Sequence, residues 1–308
     1  MAKIMTFNYQ RIKLNTTTKF SVLFFPALFV LLWSTGFIGA KYGLPYVEPF
    51  TFLFIRFGFA TLLLCAIALV MASPWPNRQQ QVFNISVSGL LLHGFYLGGI
   101  FTAISLGMSA GVAALIVGLQ PICSCLFARY FLNESMSRYQ WIGLCLGFCG
   151  VGFVVAEKIL AINLGESGNL TAALLAVFVS LMGISYGVIF QKKYCTEMHP
   201  ITGTALQYAT TCIVMLILAL SFETMQVQWT GEFIFALFWL VFVLSFGSIF
   251  ILIYLIQNSS VSSVTSFFYM VPPVTAIEEY LIYHQQLSDA VIVGVLIVAV
   301  GVFITNKK

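Results

Sequence analysis

Five ionisable side chains interrupt long apolar runs in this chain: Lys41, Arg56, His93, Glu278 and Glu279. Lys41 ends the run LLWSTGFIGAK. Its long stem can lie along a helix while the ammonium reaches an interface. It can equally serve as a gate or anion contact at an outer mouth, with Lys192 as its inner counterpart. Arg56 is flanked by Phe54, Ile55, Phe57 and Phe59. A charge inside a membrane span costs up to roughly 2.5–3.5 kcal/mol on insertion scales. Such a residue needs backbone carbonyls, a carboxylate such as Glu48, or a substrate. His93, in LLLHGFYLGG, can be a buried structural imidazole or a proton-titrating contact. Tyr96 follows three residues later, on the same side of a helix.

Two adjacent acids, Glu278 and Glu279, stand roughly 100° apart on a helix. Glu279 lies above Thr275, Pro272, Phe268 and Thr265, a partly polar stripe, and Glu278 above Val274, Val271 and Phe267. Proton coupling or binding of an amine is the chemistry they could perform; the alternative is a helix that ends early and leaves both at the interface. Two further places suggest a binding site. Gln120-Pro121 and Pro272-Pro273 each fall about 12 residues into an apolar span, or about 18 Å deep. Proline frees a carbonyl four residues back, which needs a partner in hydrocarbon. Paired breaks at Pro121 and at Pro272 and Pro273 can line a central site or only shape packing. Gln120 and Tyr269 are the polar groups nearest them, so they are candidate substrate contacts with His93 and Tyr96. Lys41, Arg56, Glu278 and Glu279 are candidates for coupling or gating.

The elements that carry these residues must lie in a bilayer. Of 308 residues, 60% are apolar and 8% charged, against about 25% charged in soluble domains; the mean hydropathy is +0.99. A spanning helix needs roughly 20 apolar residues. Ten spans are predicted, at 22–42, 50–71, 84–105, 109–131, 138–156, 170–190, 201–221, 232–256, 260–283 and 287–305. The runs are too long and continuous for barrel strands. The first has no small-residue cleavage pattern after it and reads as a retained helix.

Basic residues orient the chain. With the N-terminus inside, Lys3, Arg11, Lys13, Lys19, Arg78, Arg129, Arg138, Lys192, Lys193, Lys307 and Lys308 face the cytoplasm, and Lys41, Arg56 and Lys158 do not. The positive-inside rule places both termini in the cytoplasm. The positive excess is therefore an orientation signal and not a nucleic-acid surface.

The chain repeats itself at a shift of 151. Ser34, Gly36, Ile38 and Lys41 meet Ser185, Gly187, Ile189 and Lys192; Pro49 meets Pro200, Pro121 meets Pro272, and Gly143 meets Gly294. Most matches are Gly, Pro and caps, where backbone geometry is constrained. Five helices per copy is an odd number, so the second copy enters the membrane inverted, a recurrent transporter plan. The divisions are a basic tail at 1–21, a first repeat at 22–156, a connection at 157–169, a second repeat at 170–305 and a tail at 306–308.

Trp33, Phe37 and Lys41 at four-residue steps, then Pro49 and Arg56, resemble the start of an EamA-type repeat. Pro121, Asn133-Glu134, Ser137, Gln140, Gly143 and GVGFVV continue the resemblance, and VPPVTAIEEY at 271–280 is similar to the family's ninth helix. Nearly the whole chain resembles the EamA family of the drug/metabolite transporter superfamily. The resemblance implies an all-α integral membrane protein of ten transmembrane helices in two inverted five-helix repeats. It also implies inner-membrane export of an amino acid or related metabolite. Ser34 replaces a common Gly, and Gln285 replaces the acid that Glu134 supplies in the first copy.

Gly94-xxx-Gly98, Gly107-xxx-Gly111 and Gly143-xxx-Gly147 read as close helix packing. Ser137 with Gln140 suits a helix-capping box. The seven cysteines lack ligand spacing with His, so no metal is expected, and no phosphate-binding glycine loop or cofactor motif occurs. Expected partners are a small-molecule substrate, membrane lipid and, for coupling, protons. A secondary transporter competes with a channel, which needs a continuous polar pore, and with a membrane enzyme, which needs clustered catalytic side chains.

Overall fold

A computed structural model describes residues 19–132, 137–160, 167–248, 251, 268–284 and 288–305. The first copy contains α1 (Lys19–Gly43), α2 (Pro49–Val70), α3 (Gln79–Ser105), α4 (Ala110–Val117 continued by Gln120–Leu132) and α5 (Arg138–Leu160). The second contains α6 (Ser167–Tyr194), α7 (Pro200–Phe222), α8 (Gly231–Ser248), α9 (Val271–Tyr283) and α10 (Asp289–Thr305). Seven described helices are long and apolar enough to cross a membrane, and Trp141–Phe153 and Asp289–Gly301 are shorter apolar stretches. Leu62, Leu69, Val70, Leu220 and Phe222 are exposed, the outward apolar surface a lipid environment accepts.

Helix ends follow local chemistry. Pro49 and Pro200 open α2 and α7, where a missing N–H costs nothing. The Ser109 hydroxyl accepts from the Val112 amide at the start of α4, and Thr230 does the same for Phe233 at the start of α8. Gly107 has φ +95° in the turn after α3. The expected Gly107-xxx-Gly111 packing motif is thus a turn glycine followed by a separate helix.

The shift of 151 recurs in the coordinates. Adding it to Pro49, Gln120 and Arg138 gives 200, 271 and 289, the first residues of α7, α9 and α10. Adding it to the π-helical stretch Leu90–Phe95 of α3 gives 241–246, inside the π-helical stretch Trp239–Ser248 of α8. Matched helices run antiparallel. The Glu223 carboxylate, just past α7, accepts from Phe50 N and Thr51 N at the start of α2, each at 2.7 Å. At the other end, Thr202 of α7 donates to Pro74 O, beyond α2. In α5 and α10, a Cβ on Gly150 would lie 2.8 Å from Gly294 O, and one on Gly301 2.8 Å from Gly143 O. The backbones meet too closely for side chains, the small-residue packing expected of Gly143.

The prolines stand beside interruptions of the helix and not at kinks within a continuous one. The α4 break is at Gly118-Leu119, and Pro121 sits in the first turn of the following segment. Pro272 and Pro273 likewise occupy the first turn of α9, after the 3-10 turn Phe268–Met270. Each proline starts a helical segment, where its missing donor has no intrahelical role.

Candidate functional site

A cavity with about 50 Å3 of room for the centre of a water-sized sphere is bordered by Trp33 and Phe37 of α1, Arg56 of α2, Tyr96 of α3, Tyr208 of α7 and Ser245 of α8. A second, smaller space, about 20 Å3 on the same measure, shares Trp33, Phe37 and Tyr96 and reaches Gln120 and Pro121 of α4 and Pro272 of α9. The linings draw on α1–α4 and on α6–α9, and no described residue of α5 or α10 contributes to either.

Arg56 is 6% exposed. One guanidinium nitrogen, Nη2, lies 3.3 Å from Ser245 Oγ, and Nε is buried with no hydrogen-bond partner among the described residues. Ser245 in turn donates to Leu240 O, five residues back, at 3.1 Å. That spacing belongs to the π-helical turn, a feature frequent at functional sites. Of the alternatives for Arg56, the tie to Glu48 does not form. The Glu48 carboxylate takes Thr224 N and Thr224 Oγ1 at 2.7 Å and Met225 N at 3.1 Å. It sits just before α2, whereas Arg56 lies two turns inside.

Gln207 occupies the position matched to Arg56, since 56 plus 151 is 207. It is satisfied, donating to Ser88 Oγ and Gln191 Oε1, both at 3.1 Å. Ser88 also donates to Gln191, at 3.0 Å. The first copy has Ala40 where the second has Gln191, so Arg56 has no matching amide.

Tyr96 lines both spaces, but His93 lines neither. The imidazole packs edge-on to Tyr208 at 4.8 Å between centroids and 5.9 Å from Phe57. The π-helical turn separates the two side chains that a regular helix would place together. Gln120 faces the second space, its amide donating to Ser124 at 3.3 Å. Tyr269 belongs to the 3-10 turn before α9, and its side chain lies outside the described residues.

The acids are held apart from the cavity linings. Glu279 Oε1 meets Lys41 Nζ at 2.5 Å and accepts from Ala110 N at 3.1 Å, while Oε2 accepts from Gly111 N at 2.7 Å. The carboxylate therefore caps α4, whose N-terminal dipole favours an anion. The Lys41 ammonium also lies 4.4 Å from the Tyr283 ring centroid. Lys41 thus turns inward to a carboxylate instead of simply reaching an interface. Lys192 is exposed, and residue 128, matched to Glu279, is alanine. Glu278 accepts from Ser34 Oγ at 2.7 Å, with its other oxygen buried and unpartnered among the described residues. Ser34, the family departure, is the hydroxyl that holds Glu278. Ser137 and Arg138 open α5, but Glu134 and Gln285 lie outside the described residues.

Trp33 and Phe37 were visible in the sequence only as landmarks of resemblance, and Tyr208 and Ser245 carried no motif. The single weak signal for Tyr208 is its match to Phe57, beside Arg56.

The family model for EamA-like transporters matches residues 20–156 and again 170–307. The chain belongs to the EamA-like transporter family. It is a multi-pass integral membrane protein, and membership carries a transporter role. The uncharacterized transporter YvbV of Bacillus subtilis is 27% identical, over 92% of this chain and 90% of its own. The uncharacterized inner membrane transporter YedA of Escherichia coli K12 is 24% identical, over 92% of this chain and 91% of its own. A solved crystal structure superposes with a TM-score of 0.64 at 18% identity, covering 93% of this chain and 96% of that one. That likeness concerns the fold.

Proposed function

We propose that this EamA protein is a secondary transporter that moves a small polar metabolite, an amino acid or related compound, by alternating access, in the direction of export. The observation that carries the reading is the position of the two adjoining spaces between the copies, lined by helices 1–4 of one and the matched helices 6–9 of the other. A site there can be exposed to either side as one copy rocks against the other. The chain crosses a bacterial inner membrane ten times with both termini in the cytoplasm, the arrangement its basic residues favour. Lys41 and Glu279 then close the outer end, where opening requires them to part. Protons couple to transport through Glu278, whose carboxylate has one oxygen without a partner among the described residues, in preference to His93, whose ring is packed between aromatic rings.

Counterflow in proteoliposomes tests this. Amino acids and small metabolites are trapped inside singly and trace labelled solute is added outside. A carrier gives saturable, transient accumulation without an imposed driving force. Flux that never saturates and never overshoots would indicate a channel, and conversion of the solute an enzyme.

A further inference from the structure

We propose that Arg56 is the anchor for a carboxylate, and that the cavity selects organic monoanions carrying an apolar, preferably aromatic, body. This rests on the transporter reading for its biological use, but not for its test. The guanidinium is buried, borders a cavity, lies 5.7 Å from the Phe57 ring centroid and, among the described residues, makes one long hydrogen bond, to the Ser245 hydroxyl, with Nε unpaired. Every described acid near the membrane-spanning core is engaged elsewhere. Glu48 and Glu223 hold chain ends, Glu278 takes Ser34, and Glu279 takes Lys41 and the α4 amides. The matched Gln207 shows what a satisfied residue looks like at this position. A buried cation left in this state is costly unless a ligand completes it.

The fork of an arginine suits the two oxygens of a carboxylate, and Ser245, accepting from Nη2, helps to orient it. One cation lines the cavity among the described residues, so the charge to be matched is one. A phosphate dianion would be left half-compensated. The remaining walls are rings: Trp33, Phe37, Tyr96, Phe101 and Tyr208. They offer burial and stacking to a planar body. No acidic side chain lines either space among the described residues. An amino acid is therefore read through its carboxylate, and its ammonium is not required.

The test is binding to the purified full-length protein in detergent, read by thermal shift and calorimetry. Phenylacetate, indole-3-acetate, phenylalanine, phenylacetamide and phenethylamine are the probes. The two simple acids should bind, phenylalanine no more than comparably, and the amide and the amine at least tenfold more weakly. Arg56→Gln should cost carboxylate binding at least tenfold, with Arg56→Lys intermediate and Ser245→Ala losing a few-fold. Unliganded Arg56→Gln should melt no lower than the wild type, because it removes an uncompensated charge; this separates lost recognition from lost folding. Equal binding of acid and amide, full binding in Arg56→Gln, or no binding of any acid would overturn the assignment. Phenylalanine bound alone among the acids would overturn the claim that the ammonium is not read. Carboxylate binding without counterflow would refute the transporter reading and leave this one. Counterflow of neutral solutes without carboxylate binding would do the reverse.

Discussion

The Lys41 ammonium sits 2.5 Å from Oε1 of Glu279, 238 residues away in sequence, and that same carboxylate receives the first two amides of α4. One side chain thus ties together α1, α4 and α9. The lysine side chain is 23% exposed and the glutamate 4%. Breaking a fully buried pair typically costs about 3–5 kcal/mol. With Lys41 partly solvated, we expect Glu279→Gln to cost about 2 kcal/mol, measured as thermal stability in detergent. The double variant Lys41→Met with Glu279→Gln should recover part of it, because the ammonium that lost its carboxylate is removed as well. A double variant as unstable as the sum of the singles would refute the coupling.

Gly111 makes that arrangement possible. A Cβ there would lie 3.0 Å from Glu279 Oε2, tighter than ordinary contact. Gly111→Val should weaken the cap and the ion pair together, lowering stability by about 1–3 kcal/mol, whereas Gly152→Ala, with open space around its Cβ position, should be neutral within about 0.5 kcal/mol. Melting curves of the two variants check this.

The α5–α10 contact should fail with bulk. Gly150→Leu and Gly301→Leu each place a side chain against the partner backbone. We expect a loss of about 1–3 kcal/mol or more and a low yield of monodisperse protein, with substrate affinity of the surviving fraction unchanged, since no described residue of either helix lines the cavities. A selective loss of binding would contradict this.

Glu278→Gln should abolish the response of transport to an imposed pH gradient while counterflow persists. His93→Phe should keep both, as the aromatic stack with Phe57 and Tyr208 accepts another ring. Survival of the pH response in Glu278→Gln, or its loss in His93→Phe alone, would move the proton site.

The repeat was legible before any coordinates because glycines and prolines sit where backbone geometry tolerates little else. Helix starts matched at 49 and 200, 120 and 271, and 138 and 289 are the outcome. The π-helical turns were not legible: one extra residue in an apolar run such as WLVFVLSFGS leaves no polar period to interrupt. That turn is why His93 and Tyr96 part company, and why Ser245 meets Arg56. The partners of Arg56 and Glu279 were hidden for another reason. Both contacts span more than 180 residues, and a single sequence carries no record of which distant faces meet. Glu48 entered as one alternative partner of Arg56 because it is near in sequence; its place just before α2 commits it to the turn after α7.

The most direct test of alternating access is to hold Lys41 and Glu279 together. In a cysteine-free background, Lys41→Cys with Glu279→Cys would be joined by a short, cleavable thiol crosslinker and assayed by counterflow. Crosslinking should arrest counterflow and cleavage restore it, because the two residues must separate for the outer side to open. Undiminished counterflow in fully crosslinked protein would contradict it.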